Sequence, residues 1–358
     1  MPSNNKIVVA SAGSGKTTFL TQTACAQNKS KAALITYTNN GRDELEAKTY
    51  ENIGHLPPNI TIDTWFSFLL RHFVRPYQRV IYEPRVNDVH FVNTLSARYA
   101  PATDIDRHYF SRPGTIFSDK ISKFACEIIQ RTDGAPLTRL SEIFDNMYID
   151  ESQDLAGYDL DLVELLLQSP INTTLVADYR QATYSTHPAK RNKQYQGANI
   201  VRKFREWEEG NLCRIVEHNH SYRCVQKICD FADRFHPTAP QTKSRNNKTT
   251  DHDGVFAVRQ RDVEKYVARF APQTLRYSRA KRNVIGQPLT YGSSKGKTFN
   301  RTLIYPHGPL EKYLKTNDIE DAGKELAKIY VAVTRARQSV AFVVKDNANL
   351  AELEIFEP

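Results

Sequence analysis

Ala10-Ser11-Ala12-Gly13-Ser14-Gly15-Lys16-Thr17 is the stretch on which the reading of this chain turns. The β-branched run Ile7-Val8-Val9 before it suits a buried strand, and Thr17-Thr18-Phe19-Leu20 after it opens a helical pattern. The glycines therefore fall in a strand-to-helix turn, the context in which such a loop cradles phosphate. Gly13 and Gly15 let backbone N–H groups close around phosphate oxygens, and the helix N-terminus adds partial positive charge. Lys16 is expected to reach the β- and γ-phosphates of a nucleoside triphosphate, and the Thr17 hydroxyl to ligate Mg²⁺. Gly13, Ser14, Gly15, Lys16, Thr17 and Thr18 are the expected nucleotide contacts. Ala10 stands where the strict pattern has glycine, and a purely structural glycine turn is the alternative.

Working outward, Ala33 to Thr38 is a second strand-like segment ending in Asn39-Asn40-Gly41 and a charged helical pattern through Lys48. Ile60 to Thr64 is a third, running into Trp65-Phe66-Ser67-Phe68. Asn146 to Ile149 delivers Asp150-Glu151-Ser152-Gln153-Asp154, and Thr173 to Ala177 delivers Asp178. Strands that alternate with helices and each end in polar residues predict a parallel sheet with its chemistry on the C-terminal rim. Asp150 is expected on the metal side and Glu151 as the base that orients and deprotonates water. A carboxylate-rich helix N-terminus is the competing reading, because Leu155 to Leu167 looks helical.

The 358 residues are enough for two compact domains. Lys and Arg number 49 against 40 Asp and Glu, and the net charge of +9 fits a polyanionic partner without naming it. Cys25, Cys126, Cys213, Cys224 and Cys229 are odd in number and contain no CxxC, which argues against a disulfide framework or a zinc site. No apolar stretch approaches membrane-spanning length and no signal peptide precedes Lys6, so a cytoplasmic protein without a membrane partner is expected.

Asp150-Glu151-Ser152-Gln153-Asp154 resembles the acidic motif of UvrD/Rep-like superfamily 1 helicases. Other segments follow in the family's order. Thr38-Asn39-Asn40 with Glu44-Leu45 is similar to motif Ia, and Thr64-Trp65-Phe66-Ser67 to the next single-strand-contact motif. Asp178-Tyr179-Arg180-Gln181-Ala182-Thr183-Tyr184 resembles motif III, Glu217 to Arg223 motif IV, Ser294-Lys295-Gly296 motif V, and Tyr330 to Ala336 motif VI. The resemblance implies two RecA-like parallel-sheet domains, residues 1–200 and 201–358, with a nucleotide cleft between them. A small insertion is expected at about 76–118, and the large accessory domain of the second half is expected to be absent.

By the same resemblance, Gln181 couples the γ-phosphate to the DNA groove, Arg223 and Arg335 bring positive charge to the γ-phosphate, and Tyr222 stacks on the base. Thr38, Asn39, Thr64, Trp65, Ser67, Tyr184, Ser294 and Lys295 are implied as nucleic-acid contacts, Trp65 by stacking, with core packing as its alternative. The basic run Lys190 to Lys193 with Arg202-Lys203 extends that track or is simply solvated.

Departures from the family pattern also carry expectations. Only nine residues precede Ala10, leaving no room for the upstream adenine-reading glutamine motif. Thr298 stands where motif V usually has an acid, and Ser185-Thr186-His187 where a tryptophan commonly follows. The expected activity is Mg²⁺-dependent hydrolysis of ATP or another NTP on single-stranded DNA with 3′-to-5′ polarity, unwinding being weak or partner-dependent. The compact size and the segments Tyr222-Arg223-Cys224 and Ser294 to Tyr305 also resemble the helicase subunits of Gabija-type anti-phage systems, which implies an OLD-type nuclease subunit as partner. The alternative is an NTPase switch that responds to nucleic acid and regulates a nuclease or toxin without translocation.

Overall fold

Two separate parallel sheets follow from the two strand-rich halves of the sequence. The computed structural model describes residues 4–27, 30–183, 185–280 and 283–358. The chain divides into two compact units, one comprising Met1–Val9 and Lys16–Glu217, the other Ala10–Gly15 and His218–Pro358. The architecture is α/β, with a six-stranded RecA-like sheet in each half.

In the first sheet the strands run in the order Ile60–Thr64, Ala32–Thr36, Asn146–Ile149, Asn172–Ala177, Lys6–Ala10, Arg214–His218. The pairings among the first five are parallel, with Leu34 opposite Tyr148, Tyr148 opposite Thr174 and Ile7 opposite Leu175. The strand leading into Asp178 thus lies between the strand of the phosphate loop and the strand of the acidic motif. That order sets Lys16, Asp178 and Asp150 along one rim, since parallel strands present all their C-terminal ends on the same side.

Helices cover the sheet because their apolar residues recur at the helical period. In Ile121–Arg131, Ile121, Phe124, Ala125, Ile128 and Ile129 form one buried stripe, each of the larger side chains stabilising the fold by roughly 1.5–3 kcal/mol. Residues Asp88–His90, Phe110–Arg112 and Thr115–Phe117 form a small three-stranded sheet within the segment expected as an insertion.

The second sheet has the order Leu289–Thr290, Gln273–Arg276, Phe299–Tyr305, Ala336–Val344, Gly254–Arg259, Glu354–Ile355, paired in parallel throughout. Alternate residues of its strands feed two different cores. Ala257, Ile304, Val340 and Phe342 face one cluster, whereas Phe256, Val258, Leu303, Tyr305, Ala341 and Val343 face the other. A strand apolar on both faces is what a parallel sheet covered on both sides requires. Among the described residues no helix is long and apolar enough to cross a membrane.

Candidate functional site

Residues Ala10–Gly15 of the glycine-rich loop belong to the second unit. Gly13 and Gly15 adopt φ of +73° and +81°. The Ser14 N–H donates to Ser11 O at 3.2 Å, closing the turn, while the Ser11 N–H donates to His218 O at 3.0 Å and the Tyr222 N–H to Gly13 O at 2.8 Å. Tyr330, from the motif VI segment, accepts from the Ala12 N–H at 3.3 Å. Backbone approaches so closely that a Cβ on Gly13 would lie 2.5 Å from Arg223 Cβ and 2.7 Å from Ser221 Oγ. Tyr222 is 58% exposed beside the loop, its ring edge-on to His220 at 5.1 Å. Among the described residues the buried Ser14 hydroxyl has no hydrogen-bond partner, an opening that a phosphate oxygen would fill.

The carboxylates gather in the first unit. Lys16 Nζ lies 3.5 Å from Asp178 Oδ2, and the Gln181 amide donates to the same oxygen at 2.5 Å. Burial by itself would raise the Asp178 carboxyl, but Lys16 and Arg180 hold it below the usual carboxylate range. Gln153 joins two strand ends: its amide NH₂ donates to Glu151, and its carbonyl accepts the Asp178 N–H at 2.9 Å. Glu151, the expected base, stands at φ +52°, a left-handed conformation that costs a residue with a Cβ on the order of 1–3 kcal/mol. Such strain is retained where the side chain's direction matters.

Asp150 accepts the Glu151 N–H at 2.8 Å. Burial, reinforced by the neighbouring Glu151 carboxylate, pushes its carboxyl up to about 7 even with Lys16 acting in the opposite direction. A buried carboxylate beside a second one suits a divalent cation, and Thr17 at the start of the helix Lys16–Ala26 offers the hydroxyl. Among the described residues no cluster of three His, Cys, Asp or Glu forms a closed metal cage. Thr17 and Asp150 would hold a Mg²⁺ only in part, as is usual for an ion that also takes substrate phosphate. The residues present therefore fit a metal–nucleotide complex better than a free ion.

Both expected arginines are fastened within the second unit. Arg335 is 1% exposed and donates from Nε to Val331 O at 2.9 Å and from Nη2 to Thr334 Oγ1 at 3.1 Å. Arg223 donates to Thr334 O at 3.1 Å and keeps part of its surface exposed. One turn at the end of the helix Leu326–Val333 thus positions both guanidinium groups.

Four of the expected nucleic-acid contacts are brought together. Thr38, Asn39, Thr64 and Ser67 line a groove of about 450 Å³ on the first unit, with Phe66 and Phe91. Trp65 is not among them: it is 1% exposed, and its indole N–H donates to Asp159 Oδ1 at 2.9 Å. Trp65 packs in the core, and the next residue, Phe66, reaches the groove wall. In the second unit Ser294 is buried with its hydroxyl donating to Tyr291 O at 2.7 Å, and Lys295 is partly exposed. Tyr184 lies outside the described residues. Of the basic run, Arg191 is held by Asp161 and Lys203 by Glu164 at 2.8 Å, so those charges serve surface ion pairs. Sequence reasoning missed Gln153 as a link and Phe91 as a groove residue; an amide flanked by carboxylates was the one local signal for the former.

No protein-family model and no curated protein matches the chain. The chain is similar to solved helicases at low identity. A PRRSV helicase structure is 18% identical with a TM-score of 0.44, covering 95% of this chain and 52% of its own length. An arterivirus nonstructural protein 10 helicase solved with DNA is 16% identical with a TM-score of 0.49, covering 96% of this chain and 61% of its own. A second structure of that helicase is 14% identical with a TM-score of 0.45, covering 96% and 60%. The chain spans between half and two thirds of the length of the helicases it resembles.

Proposed function

We propose that the chain is an NTP-driven motor of the UvrD/Rep-like superfamily 1 type, acting on single-stranded DNA with 3′-to-5′ polarity and using ATP as its fuel. Unwinding of a duplex is weak or depends on a partner. The observation that carries this reading is the shared Asp178 carboxylate, which holds Lys16 at 3.5 Å and Gln181 at 2.5 Å. Lys16 binds the terminal phosphates when NTP enters, and Asp178 is left with Gln181 and Arg180. Nucleotide occupancy is thereby passed to the glutamine strand end, the residue that the helicase resemblance links to the DNA groove.

Glu151 orients water for attack and takes its proton, and Gln153 fixes the glutamate by donating to it. Lys16 and the backbone N–H groups of the loop stabilise the charge that develops on the phosphate oxygens. Thr17 and Asp150 would hold a Mg²⁺, which would supply charge neutralisation at the phosphates. An OLD-type nuclease partner rests on sequence resemblance alone.

NTP turnover measured with and without single-stranded DNA tests this. Wild type is expected to be stimulated several-fold, Lys16→Ala to lose turnover by on the order of 10², and Gln181→Ala to retain basal turnover while losing stimulation. Turnover indifferent to DNA in wild type would favour a switch over a motor.

A further inference from the structure

We propose that Phe91 is a base-stacking fin for single-stranded nucleic acid, set between two chambers of one groove on the first unit. Phe91 is 70% exposed, which leaves a large apolar ring in water, yet it is not an isolated surface residue. It borders the 450 Å³ groove of Thr38, Asn39, Thr64 and Ser67, and also a second cavity of about 590 Å³ walled by Tyr37, Arg98, Thr186 and Gln196. Tyr99, 98% exposed, lines none of these spaces and shows what a merely solvated ring looks like.

The fin is braced from beneath. Phe91 and Phe66 have ring centroids 6.0 Å apart, and Phe66 meets Tyr37 edge-on at 5.7 Å, so the exposed ring rests against the buried Phe66, itself backed by the half-buried Tyr37. A braced ring loses little freedom when a base stacks on it. The surrounding walls mix apolar side chains, Phe66, Leu70 and Val89, with hydroxyl and amide groups of Thr38, Asn39 and Ser67 that suit phosphate and sugar oxygens. Asp88 on the rim is countered by Arg112 at 3.5 Å, which lessens its repulsion of phosphate. Hydroxyl and amide groups beside an exposed aromatic ring match the general scheme of sequence-tolerant strand binding, in which the backbone is tracked and the bases stack. With Trp65 buried, Phe91 provides the exposed ring on this groove.

This inference rests on the reading that the chain binds single strands, and the experiment separates the two. Fluorescence anisotropy compares a labelled oligodeoxythymidylate with an abasic strand of the same length, using the full chain without nucleotide. Phe91→Ala is expected to weaken the thymidylate complex about tenfold and to leave abasic affinity within about twofold, while Phe91→Trp restores binding. Phe91→Leu, apolar but without a π face, is expected to fail like alanine. Thermal melting confirms that each variant is folded. Wild-type binding with Phe91→Ala unchanged, or equally weakened on both strands, overturns the stacking fin and leaves strand binding intact. A wild type that binds neither strand overturns the motor reading, and the fin with it.

Discussion

A Cβ on Gly13 would meet Arg223 Cβ at 2.5 Å and Ser221 Oγ at 2.7 Å, and its φ of +73° disfavours any side chain. Gly296 has a similar φ of +83° but open space where its Cβ would be. The pair separates backbone strain from contact. Gly13→Ala is expected to destabilise the protein by about 2–4 kcal/mol and to impair nucleotide binding, against about 1 kcal/mol for Gly296→Ala. Denaturant melts with a nucleotide titration check this, and equal losses in the two variants would remove close contact as the reason for glycine at position 13. At this scale the glycine turn between strand and helix was legible because turn chemistry is local. The company it keeps was not, since Ser11 bonds to His218 and Ala12 to Tyr330 across most of the chain. The motif resemblance singles out Arg335, and its bonds to Val331 and Thr334 show a buried guanidinium.

At the level of elements, boundaries followed local stereochemistry where it was strong and slipped where one residue changed the phase. The strand Ile60–Thr64 and the acid strand Asn146–Ile149 stand as their residues predict. The helix expected from Leu155 begins instead at Tyr158, because Gly157 takes φ +56° and ψ −127° after a short 3₁₀ turn at Ser152–Asp154. In the helix Trp65–Leu69 a step of one residue, about 100° around the axis, decides that Trp65 meets Asp159 and Phe66 the groove. The π-helical turn Leu70–Val74 that follows holds His72 between Phe68 and Phe144, at 4.7 and 5.4 Å, with neither ring nitrogen partnered among the described residues.

Burial lowers the His72 pKa to about 4, with Arg139 and Arg71 adding to the shift. In the unfolded chain the group titrates near ~6.5, so between those values the unfolded state binds more protons and stability falls as pH falls. His72→Phe is expected to recover about 2 kcal/mol of the stability lost between pH 7.5 and 5. Unfolding midpoints at the two pH values measure it, and an unchanged difference between them would place the acid sensitivity elsewhere. His187 works in the opposite sense: burial lowers its pKa, but Asp159 more than compensates, and the stability this pair contributes is lost as pH rises past about 6.5.

For the whole molecule, the alternation of apolar strands with helices made both parallel sheets legible, since a strand buried on two faces leaves a continuous β-branched signature. The edge strands Leu289–Thr290 and Glu354–Ile355 are two residues each, too short to carry a periodic pattern. Net charge acts at this scale as well, and +9 supplies attraction without sequence preference. If the strand's phosphates are met by a few cations, Lys295 among them, the slope of log affinity against log salt is expected at about −2 to −3, near −0.7 per neutralised phosphate. Affinity for an oligodeoxythymidylate then falls about thirtyfold between 50 and 200 mM salt. Lys295→Ala is expected to flatten the slope by about 0.7, whereas Phe91→Ala lowers affinity by the same factor at every salt concentration, because stacking releases no counterions. Anisotropy titrations across a salt series decide between these terms. A slope near zero in wild type, with base dependence retained, would mean that the excess charge lies away from the strand and that stacking holds it.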